Sequence, residues 1–517
     1  MRDILQQIGS LMQARKMDAA EALCMGLVKD HPDRVEGWLH LGWISQLKTN
    51  ADKMLDCGER ACAIDPRSIA ALMLIVEGAM GSGQMNRAKE ALMQIEELAG
   101  DDAKLWSHIA KLNTNTGSFV AAGRCYNRAY EILGDDPDAL YNCAAAQLAL
   151  GNMDKAEDFY DRVLKIKPSD TDVYYNRATL RKQTPDKNHI NQIERFIKKA
   201  DLTPDLKAPL FYALAKENED IGNYKHSIKA LLEGANARSN QLQYDVQVDV
   251  TTMHQVANTM GAIEIKDSKT KDLGEGRIFV LGLPRSGTTL VERMLESHKT
   301  TESLGELTDL VVALTKTIGK VSDKEDLITR SPQMDYFKMG KYYMSSTAQR
   351  SLSTATILLD KTPANFLYIG WIARALPKAK IIHLKRNPMD SCYAMYKTLF
   401  RMGYPFSYSL ENLGAYYAAY RGLMDHWHNV LPGHIFDVQY EELVSDPEAT
   451  SKGMFEYLGL EWDRSVLDFH KSNAPVATAS AAQVRQPIYT SSVEKWRHYE
   501  KELTPLKNIL EQAGIAT

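Results

Sequence analysis

The stretch with the most definite chemistry runs from Gly282 to Thr289 and reads GLPRSGTT. It follows an apolar run, Phe279 to Leu281, and precedes residues with the apolar spacing of a helix. A strand, a glycine loop and a helix start bring several backbone N–H groups to one place, where the helix dipole adds partial positive charge. The sequence therefore predicts a site for a phosphate-like anion at this loop.

The loop differs from the common nucleotide-binding loop in its cation. Gly282 and Gly287 are spaced as in G-x-x-x-x-G-K-[ST], but Thr288 stands in the lysine position. Arg285, inside the loop, is the nearest cation. The pattern thus favours a phosphate-like ligand that is held without the lysine used for ATP.

The sequence PRSGTT after an apolar strand resembles the 5′-phosphosulfate loop of sulfotransferases, and it is most similar to the tyrosylprotein sulfotransferase branch. The resemblance covers approximately residues 276 to 500 and implies an α/β P-loop-type domain with a parallel sheet. It implies transfer of a sulfuryl group from 3′-phosphoadenosine 5′-phosphosulfate (PAPS) to an acceptor hydroxyl. The loop residues assigned to PAPS are Pro284, Arg285, Ser286, Gly287, Thr288 and Thr289.

The resemblance also implies two catalytic residues. Glu306, in the pair Gly305-Glu306, corresponds to the family's base, which takes the proton from the attacking hydroxyl. Lys361, in DKTPAN, corresponds to a lysine that stabilises charge as the sulfate leaves. Two alternatives stay open: Glu306 caps a helix that begins there, or His298 is the base. Thr308 replaces a family arginine, which leaves the acceptor open.

Arg386 is the candidate for the 3′-phosphate of PAPS. It follows a predicted strand, Ile381 to Leu384, and matches a family arginine with that role. The family has a serine eight residues later, where this chain has Ala394, so Ser391 is the nearer candidate donor.

The remaining nucleotide contacts are predicted near the carboxyl terminus. Tyr440 matches a family tyrosine near the adenine, on which a base could stack. Ser480, Arg485 and Lys495 lie in a polar segment suited to a lid and are candidate contacts for the adenine and phosphates. No metal is required, because sulfate carries less charge than a terminal phosphate and lysine, arginine and backbone dipoles suffice.

The elements that must position these residues are four predicted strands with apolar runs, at Phe279 to Leu281, Ala355 to Leu359, Ile381 to Leu384 and His434 to Glu441. Buried parallel strands have this composition. Ligands bind at the carboxyl ends of such strands, which is where the candidate residues lie.

The first half of the chain is a repeat array. Gly83, Gly117 and Gly151 lie 34 residues apart, and an alanine follows each of them after five residues. This period resembles tetratricopeptide repeats, in which helix pairs stack because no pair buries its apolar face alone. Six or seven pairs are predicted up to about residue 255, with residues 185–204 as a weak repeat or a linker.

These patterns predict a tetratricopeptide-repeat domain at residues 1–262, a linker at 263–276 and a sulfotransferase domain at 277–517. The acceptor is unknown; the repeats could hold a protein or peptide acceptor, mediate a homodimer or serve as a scaffold.

Composition narrows the class of protein. The 517 residues carry a net charge of −4, which argues against a general nucleic-acid binder. No apolar run reaches the length of about 18 residues expected of a membrane span. The six cysteines lack metal-ligand spacing and predict free thiols in a reducing, cytoplasmic setting.

The sequence therefore predicts a PAPS-dependent sulfotransferase, with protein tyrosine among the possible acceptors. One alternative is a P-loop kinase, for which Asp360 at the end of ILLD resembles a metal-binding strand end. The other is a repeat-based binding protein with an inactive transferase fold. The presence of Arg285, Glu306, Lys361 and Arg386 argues against loss of activity.

Overall fold

The computed structural model describes residues 2–199, 202–261, 269–351, 354–471 and 483–517. The chain forms two compact units, Met1–Arg162 and Val163–Thr517. The linker predicted at 263–276 lies inside the second unit, and part of it falls outside the described residues. A division of domains at that linker stays a prediction.

The first unit is built from consecutive helices joined by short turns. Their bounds are α1 Arg2–Gln13, α2 Met17–Asp30, α3 Val35–Leu47, α4 Ala51–Ile64, α5 Ile69–Ser82, α6 Met85–Leu98, α7 Ala103–Asn115, α8 Phe119–Leu133, α9 Pro137–Ala149 and α10 Met153–Ile166, which runs into the second unit.

The 34-residue spacing has a structural cause. Gly83, Gly117 and Gly151 each follow the first helix of a pair with φ between 77° and 86°, a left-handed conformation that favours glycine. Ala88 and Ala122 lie on the next helix and are fully buried where it packs on its neighbours. The predicted tetratricopeptide-repeat architecture is confirmed.

Repeat-like helices continue into the second unit. They are α11 Thr171–Thr179, α12 Ile190–Lys199, α13 Pro204–Asp220, α14 Tyr224–Ser239 and α15 Val246–Thr259. The segment with irregular spacing contains the short α12 and the start of α13. The helices α13 and α14 form a close pair around Gly222, whose φ is 82°.

The rest of the second unit alternates strands and helices. The strands are β1 Arg277–Gly282, β2 Thr301–Ser303, β3 Ile357–Asp360, β4 Lys380–Lys385 and β5 Ile435–Gln439. The helices are α16 Thr288–Glu296, α17 Asp309–Ile318, α18 Lys324–Arg330, α19 Tyr336–Arg350, α20 Ile369–Ala375, α21 Pro388–Tyr396, α22 Leu410–Val430, α23 Tyr440–Ser445, α24 Pro447–Leu458 and α25 Thr504–Gln512.

The strands form one parallel sheet in the order β2-β3-β1-β4-β5. The predicted parallel α/β class is confirmed. All six residues of β1 are buried, as expected of a central strand with both faces covered. The sequence reasoning missed β2, which has only three residues and a polar composition.

The two faces of the sheet are covered by different parts of the chain. Ile278 and Val280 of β1 pack in a cluster with α16 and α24, whereas Phe279 and Leu281 point into the opposite cluster. That second cluster also contains buried side chains of α13, α14 and α15, such as Tyr212, Leu231 and Met253. The last repeat-like helices and the sheet therefore share one hydrophobic core.

Two further sequence expectations concern the environment of the chain. Within the described ranges, no helix combines the length and apolar character needed to cross a bilayer. The six cysteines are free thiols, and all except Cys62 are buried.

Candidate functional site

Each of the five parallel strands is followed by a residue or loop that the sequence singled out. The anion loop follows β1, Glu306 follows β2, Lys361 follows β3, Arg386 follows β4 and Tyr440 follows β5. Because carboxyl ends of parallel strands meet at one edge, these residues converge. A cavity of about 340 Å³ opens there and is lined by the loop, Glu306, Arg386 and Tyr440.

The loop after β1 forms one wall of the cavity. Pro284, Arg285, Gly287, Thr288 and Thr289 line it, as predicted. Ser286 does not: its hydroxyl donates to the Leu283 carbonyl oxygen at 2.7 Å, and it lines a smaller neighbouring cavity. The predicted contact of Ser286 with PAPS therefore has no counterpart in the cavity lining.

Two unusual backbone conformations shape this loop. Gly287, which precedes α16, has a φ of 110°, and a Cβ atom there would lie 2.6 Å from Cδ2 of Tyr440. Arg285 also has a positive φ, 67°. Its side chain is partly buried, and its Nη2 donates to Oε1 of Gln483 at 2.9 Å. Removal from solvent lowers the pKa of Arg285. The loop is thus closely fitted to the residues opposite it.

Arg386 joins the loop to the carboxyl-terminal segment. Its Nη1 donates to the Arg285 carbonyl oxygen at 2.9 Å, and its Nη2 donates to that of Ser492 at 2.8 Å. Its Cζ lies 4.6 Å from the Tyr440 ring centroid, and the Tyr440 hydroxyl lies 2.7 Å from Oγ of Ser492. The buried Nε of Arg386 has no hydrogen-bond partner among the described residues, so it retains donor capacity.

The other predicted nucleotide contacts are only partly brought together. Lys495 lines the cavity. Arg485 is not among the lining residues, and Ser391 lines the smaller neighbouring cavity, whereas Ala394 faces the main one. Ser480 lies outside the described residues. Lys495 is therefore at the cavity and Arg485 and Ser391 are not, and the roles of all three in nucleotide binding stay predictions.

The candidate base and the candidate cation are directly paired. Nζ of Lys361 lies 2.6 Å from Oε1 of Glu306, whose side chain is half exposed and lines the cavity. Lys361 itself is almost fully buried and lies 3.7 Å from a second carboxylate, Glu292. A hydrogen bond from the Lys361 amide to the Gly305 carbonyl oxygen, at 2.9 Å, fixes the two loops together.

The two alternatives for Glu306 lack a structural basis. The next helix, α17, begins at Asp309 after Thr308, so Glu306 lies before its amino-terminal cap. His298 does not line the cavity. Its Nδ1 lies 2.9 Å from Oγ1 of Thr300, and its ring packs against Phe455. These contacts indicate a structural role for His298.

Asp360, on which the kinase alternative depends, does not line the cavity either. Its carboxyl group is buried and accepts hydrogen bonds from Tyr343 at 2.9 Å and Thr362 at 2.7 Å. Burial raises the pKa of Asp360 to about 7. A carboxyl group in this setting links elements of the fold and is poorly suited to hold Mg²⁺ beside a phosphate.

The sequence reasoning missed one wall of the cavity. Asp390, Tyr393, Ala394 and Lys397 line it from α21 and the residue after it. Their spacing of i, i+3, i+4 and i+7 places them on one helical face directly after Arg386, which the sequence alone could have revealed. Phe400 and Tyr404 add aromatic surface beyond this wall.

One cluster has the composition of a metal site. Ligand atoms of His383, His428 and Asp437 lie within 4.8 Å of one another beside the smaller cavity. The Asp437 carboxylate also lies 3.3 Å from Nζ of Lys385. Nδ1 of His383 lies 2.8 Å from the same carboxylate. A neighbouring ammonium group opposes cation binding, so we interpret the cluster as a hydrogen-bonded network.

Comparison with known families agrees with this geometry. The model of the sulfotransferase family matches residues 277–464, which contain the loop, Glu306, Lys361, Arg386 and Tyr440. Residues 277–464 are therefore similar in sequence to sulfotransferases. A tetratricopeptide-repeat model matches residues 137–170 ahead of the sulfotransferase domain.

Relatives with similar sequences include proteins with and without an assigned function. An uncharacterised protein of Aquifex aeolicus is 32% identical over 337 residues, which are 62% of this chain and 44% of that protein. A putative protein-tyrosine sulfotransferase of Caenorhabditis briggsae is 26% identical over 43% of this chain and 81% of its own length. Protein-tyrosine sulfotransferase 1 of Danio rerio is 23% identical over 42% of this chain and 65% of its own length. The chain thus spans less than half of the Aquifex relative.

Proposed function

We propose that the protein transfers a sulfuryl group from PAPS to an acceptor hydroxyl. The support is a single cavity that joins an anion loop and cations to a carboxylate. Its wall contains the β1 loop, Arg386 and Lys495, and Glu306 lines the same space. The first group suits a nucleotide with several phosphates, and the carboxylate suits proton removal from a hydroxyl.

The residues divide into donor and acceptor roles. The loop at residues 283–289 and the start of α16 hold the 5′-phosphosulfate, and Arg386 holds the 3′-phosphate. Tyr440 contributes a ring at the nucleotide end. Glu306 takes the proton of the acceptor hydroxyl, while Lys361 stabilises the charge that develops as the S–O bond to the 5′-phosphate breaks.

Protein tyrosine is the acceptor that we propose. Two relatives have this activity in their names, and the acceptor end of the cavity is lined by Phe400 and Tyr404, which suit an aromatic ring. Tyr404 lines the same cavity as the proposed base, and burial, and secondarily the charge of Glu306, raises the pKa of Tyr404 to about 12. The repeats are proposed to hold the acceptor protein.

We also propose a cytoplasmic location, because the six cysteines are free thiols, which are typical of a reducing compartment.

Comparing the affinities of two nucleotides tests the assignment of Arg386 to the 3′-phosphate. ADP lacks the 3′-phosphate, and a charge-assisted hydrogen bond contributes about 1.5–3 kcal/mol. We therefore expect 3′-phosphoadenosine 5′-phosphate to bind at least about tenfold more tightly than ADP, as measured by calorimetric titration. Replacing Arg386 by alanine is expected to remove most of that preference.

The ratio of the two affinities is the decisive quantity. Arg386 also bonds to the loop and to Ser492, so its loss can weaken both nucleotides, whereas only loss of a 3′-phosphate contact lowers their ratio. Arg497→Ala, which removes an exposed arginine paired with Glu494, is the control and should leave the ratio unchanged. Equal affinity of the parent protein for both nucleotides would contradict the proposed function.

A further inference from the structure

A carboxylate of the repeat-like helices lies directly behind the cavity. Glu219, near the end of α13, is buried, and its Oε2 lies 2.8 Å from Nζ of Lys397 and 2.8 Å from Nζ of Lys495. Its Oε1 accepts hydrogen bonds from the hydroxyls of Tyr393 and Tyr499. Four side chains of the sulfotransferase half therefore meet on one carboxylate from the repeats.

The position of Glu219 in its own helix is unfavourable. The helix α13 ends in the residues KENED, and negative charge at a carboxyl terminus opposes the helix dipole. The buried carboxylate is stabilised from outside the helix: although burial acts in the opposite direction, Lys397 and Lys495 hold the pKa of Glu219 far below its usual range. Glu219 is therefore an ionised group whose partners lie in the other half of the unit.

The cluster carries more positive than negative charge. One carboxylate faces two ammonium groups, and both Lys397 and Lys495 line the cavity. Burial lowers the pKa of Lys397 to about 8, and the charges of Lys495 and Arg285 act in the same direction. Burial also disfavours the charge of Lys495, but Glu219 outweighs it and raises the pKa of Lys495. An anion in the cavity would balance this surplus.

We propose that Glu219 is a positioning residue for the donor site: it holds the ammonium groups of Lys397 and Lys495 towards the cavity, so that the last repeat-like helices form part of the nucleotide-binding machinery. This proposal rests on the proposed function. It adds Lys397 to the anion contacts and gives α13 a role in donor binding.

Titration with 3′-phosphoadenosine 5′-phosphate at several pH values tests the proposal on the full chain. The phosphates have a second pKa of about 6, so they are fully ionised well above neutrality. Binding to the parent is expected to weaken as the pH rises through about 8, because Lys397 loses its proton. The charged groups that act on Lys397 are Glu219, Lys495 and Arg285, and its Nζ lies 4.9 Å from the Tyr393 ring centroid.

The variant Glu219→Gln should change both affinity and pH dependence. Without the carboxylate, the ammonium groups lose their fixed position, and we expect binding at pH 7.5 to weaken at least about tenfold. Lys397 also loses the charge that raises its pKa, so the weakening should begin about one pH unit lower or more. Lys397→Met should abolish the change near pH 8 altogether.

Glu217→Gln is the matched control. Glu217 lies on the same helix and is also buried, but it contacts His189 and does not line the cavity. It should affect stability and leave the affinity and its pH dependence at parental values. If Glu217→Gln and Glu219→Gln weaken binding equally, Glu219 has only a structural role and the proposal is overturned.

The other possible results distinguish the proposal for Glu219 from the proposed function. Parental affinity and pH dependence in Glu219→Gln, or tighter binding at every pH, would contradict the proposal while the proposed function stands. Failure of the parent to bind the nucleotide would remove the proposed function itself. Should Glu219→Gln not fold, Lys397→Met and Lys495→Met carry the test: each should weaken binding, and unchanged affinity in both would overturn the proposal.

Discussion

Replacing Glu306 by glutamine is expected to lower the rate of sulfuryl transfer by about 10²–10⁴, because the acceptor hydroxyl loses its base. Glutamine has the size of glutamate, and its amide oxygen can still accept a hydrogen bond from Lys361. Lys361 is buried but keeps this acceptor and lies 3.7 Å from Glu292, so the free energy of unfolding should fall by no more than about 1–3 kcal/mol. The nucleotide affinity should stay parental, since the change lies at the acceptor end.

The measurement combines turnover with thermal unfolding. Labelled PAPS is offered with tyrosine peptides, phenols and sugars until an acceptor is found, and rates are then compared at saturating donor. His298→Ala is the control: it should lower the unfolding temperature, because the ring packs on Phe455, and leave turnover near the parental value. If Glu306→Gln turns over normally while His298→Ala is inactive, the histidine is the base.

The second large effect concerns where the chain can be cut. A variant of residues 152–517 retains the whole of α10 and the second compact unit, and we expect it to fold and to bind 3′-phosphoadenosine 5′-phosphate as the full chain does. A variant of residues 269–517, cut near the predicted linker, is expected to lose both properties. Circular dichroism melting and calorimetric titration of the two variants measure the difference.

The reason lies in the shared core. The shorter variant removes buried side chains such as Tyr212, Leu231 and Met253, and it uncovers the residues they cover. Each large buried side chain contributes roughly 1.5–3 kcal/mol, whereas a domain's net stability is about 5–15 kcal/mol. The cut also removes the hydrogen bond from the Tyr212 hydroxyl to the Tyr396 carbonyl oxygen, at 3.0 Å. A stable 269–517 variant that binds the nucleotide would favour the division of domains at residues 263–276.

The sequence was most informative where local patterns determine the structure. Glycines 34 residues apart fixed the helix pairs because each occupies a left-handed position at a helix end. Apolar runs located four strands, and their carboxyl ends located the candidate residues, because parallel strands place those ends together. The three-residue β2 carried too little apolar pattern to be found.

The sequence was least informative about contacts between distant segments. Nothing local to α13 shows that Glu219 meets Lys397 and Lys495, since that contact depends on how the helices pack on the sheet. Ser391 and Ser286 have the right residue type and position in the chain, yet both side chains line the smaller cavity. The direction of each side chain within its helix or loop determines which cavity it lines, and the number of residues from a motif does not predict that direction.

The carboxylate of Glu219 also sets an order in which the chain can become complete. Glu219 accepts a hydrogen bond from Tyr499, which lies 280 residues later, a separation that a ribosome needs roughly 15–55 s to synthesise at about 5–20 residues per second. Until Lys397 and Lys495 emerge, the carboxylate of α13 has neither of its ammonium partners and belongs in water. The contacts of Glu219 therefore depend on residues that are synthesised up to 280 positions later, and during that interval the apolar helix faces of the nascent chain remain uncovered.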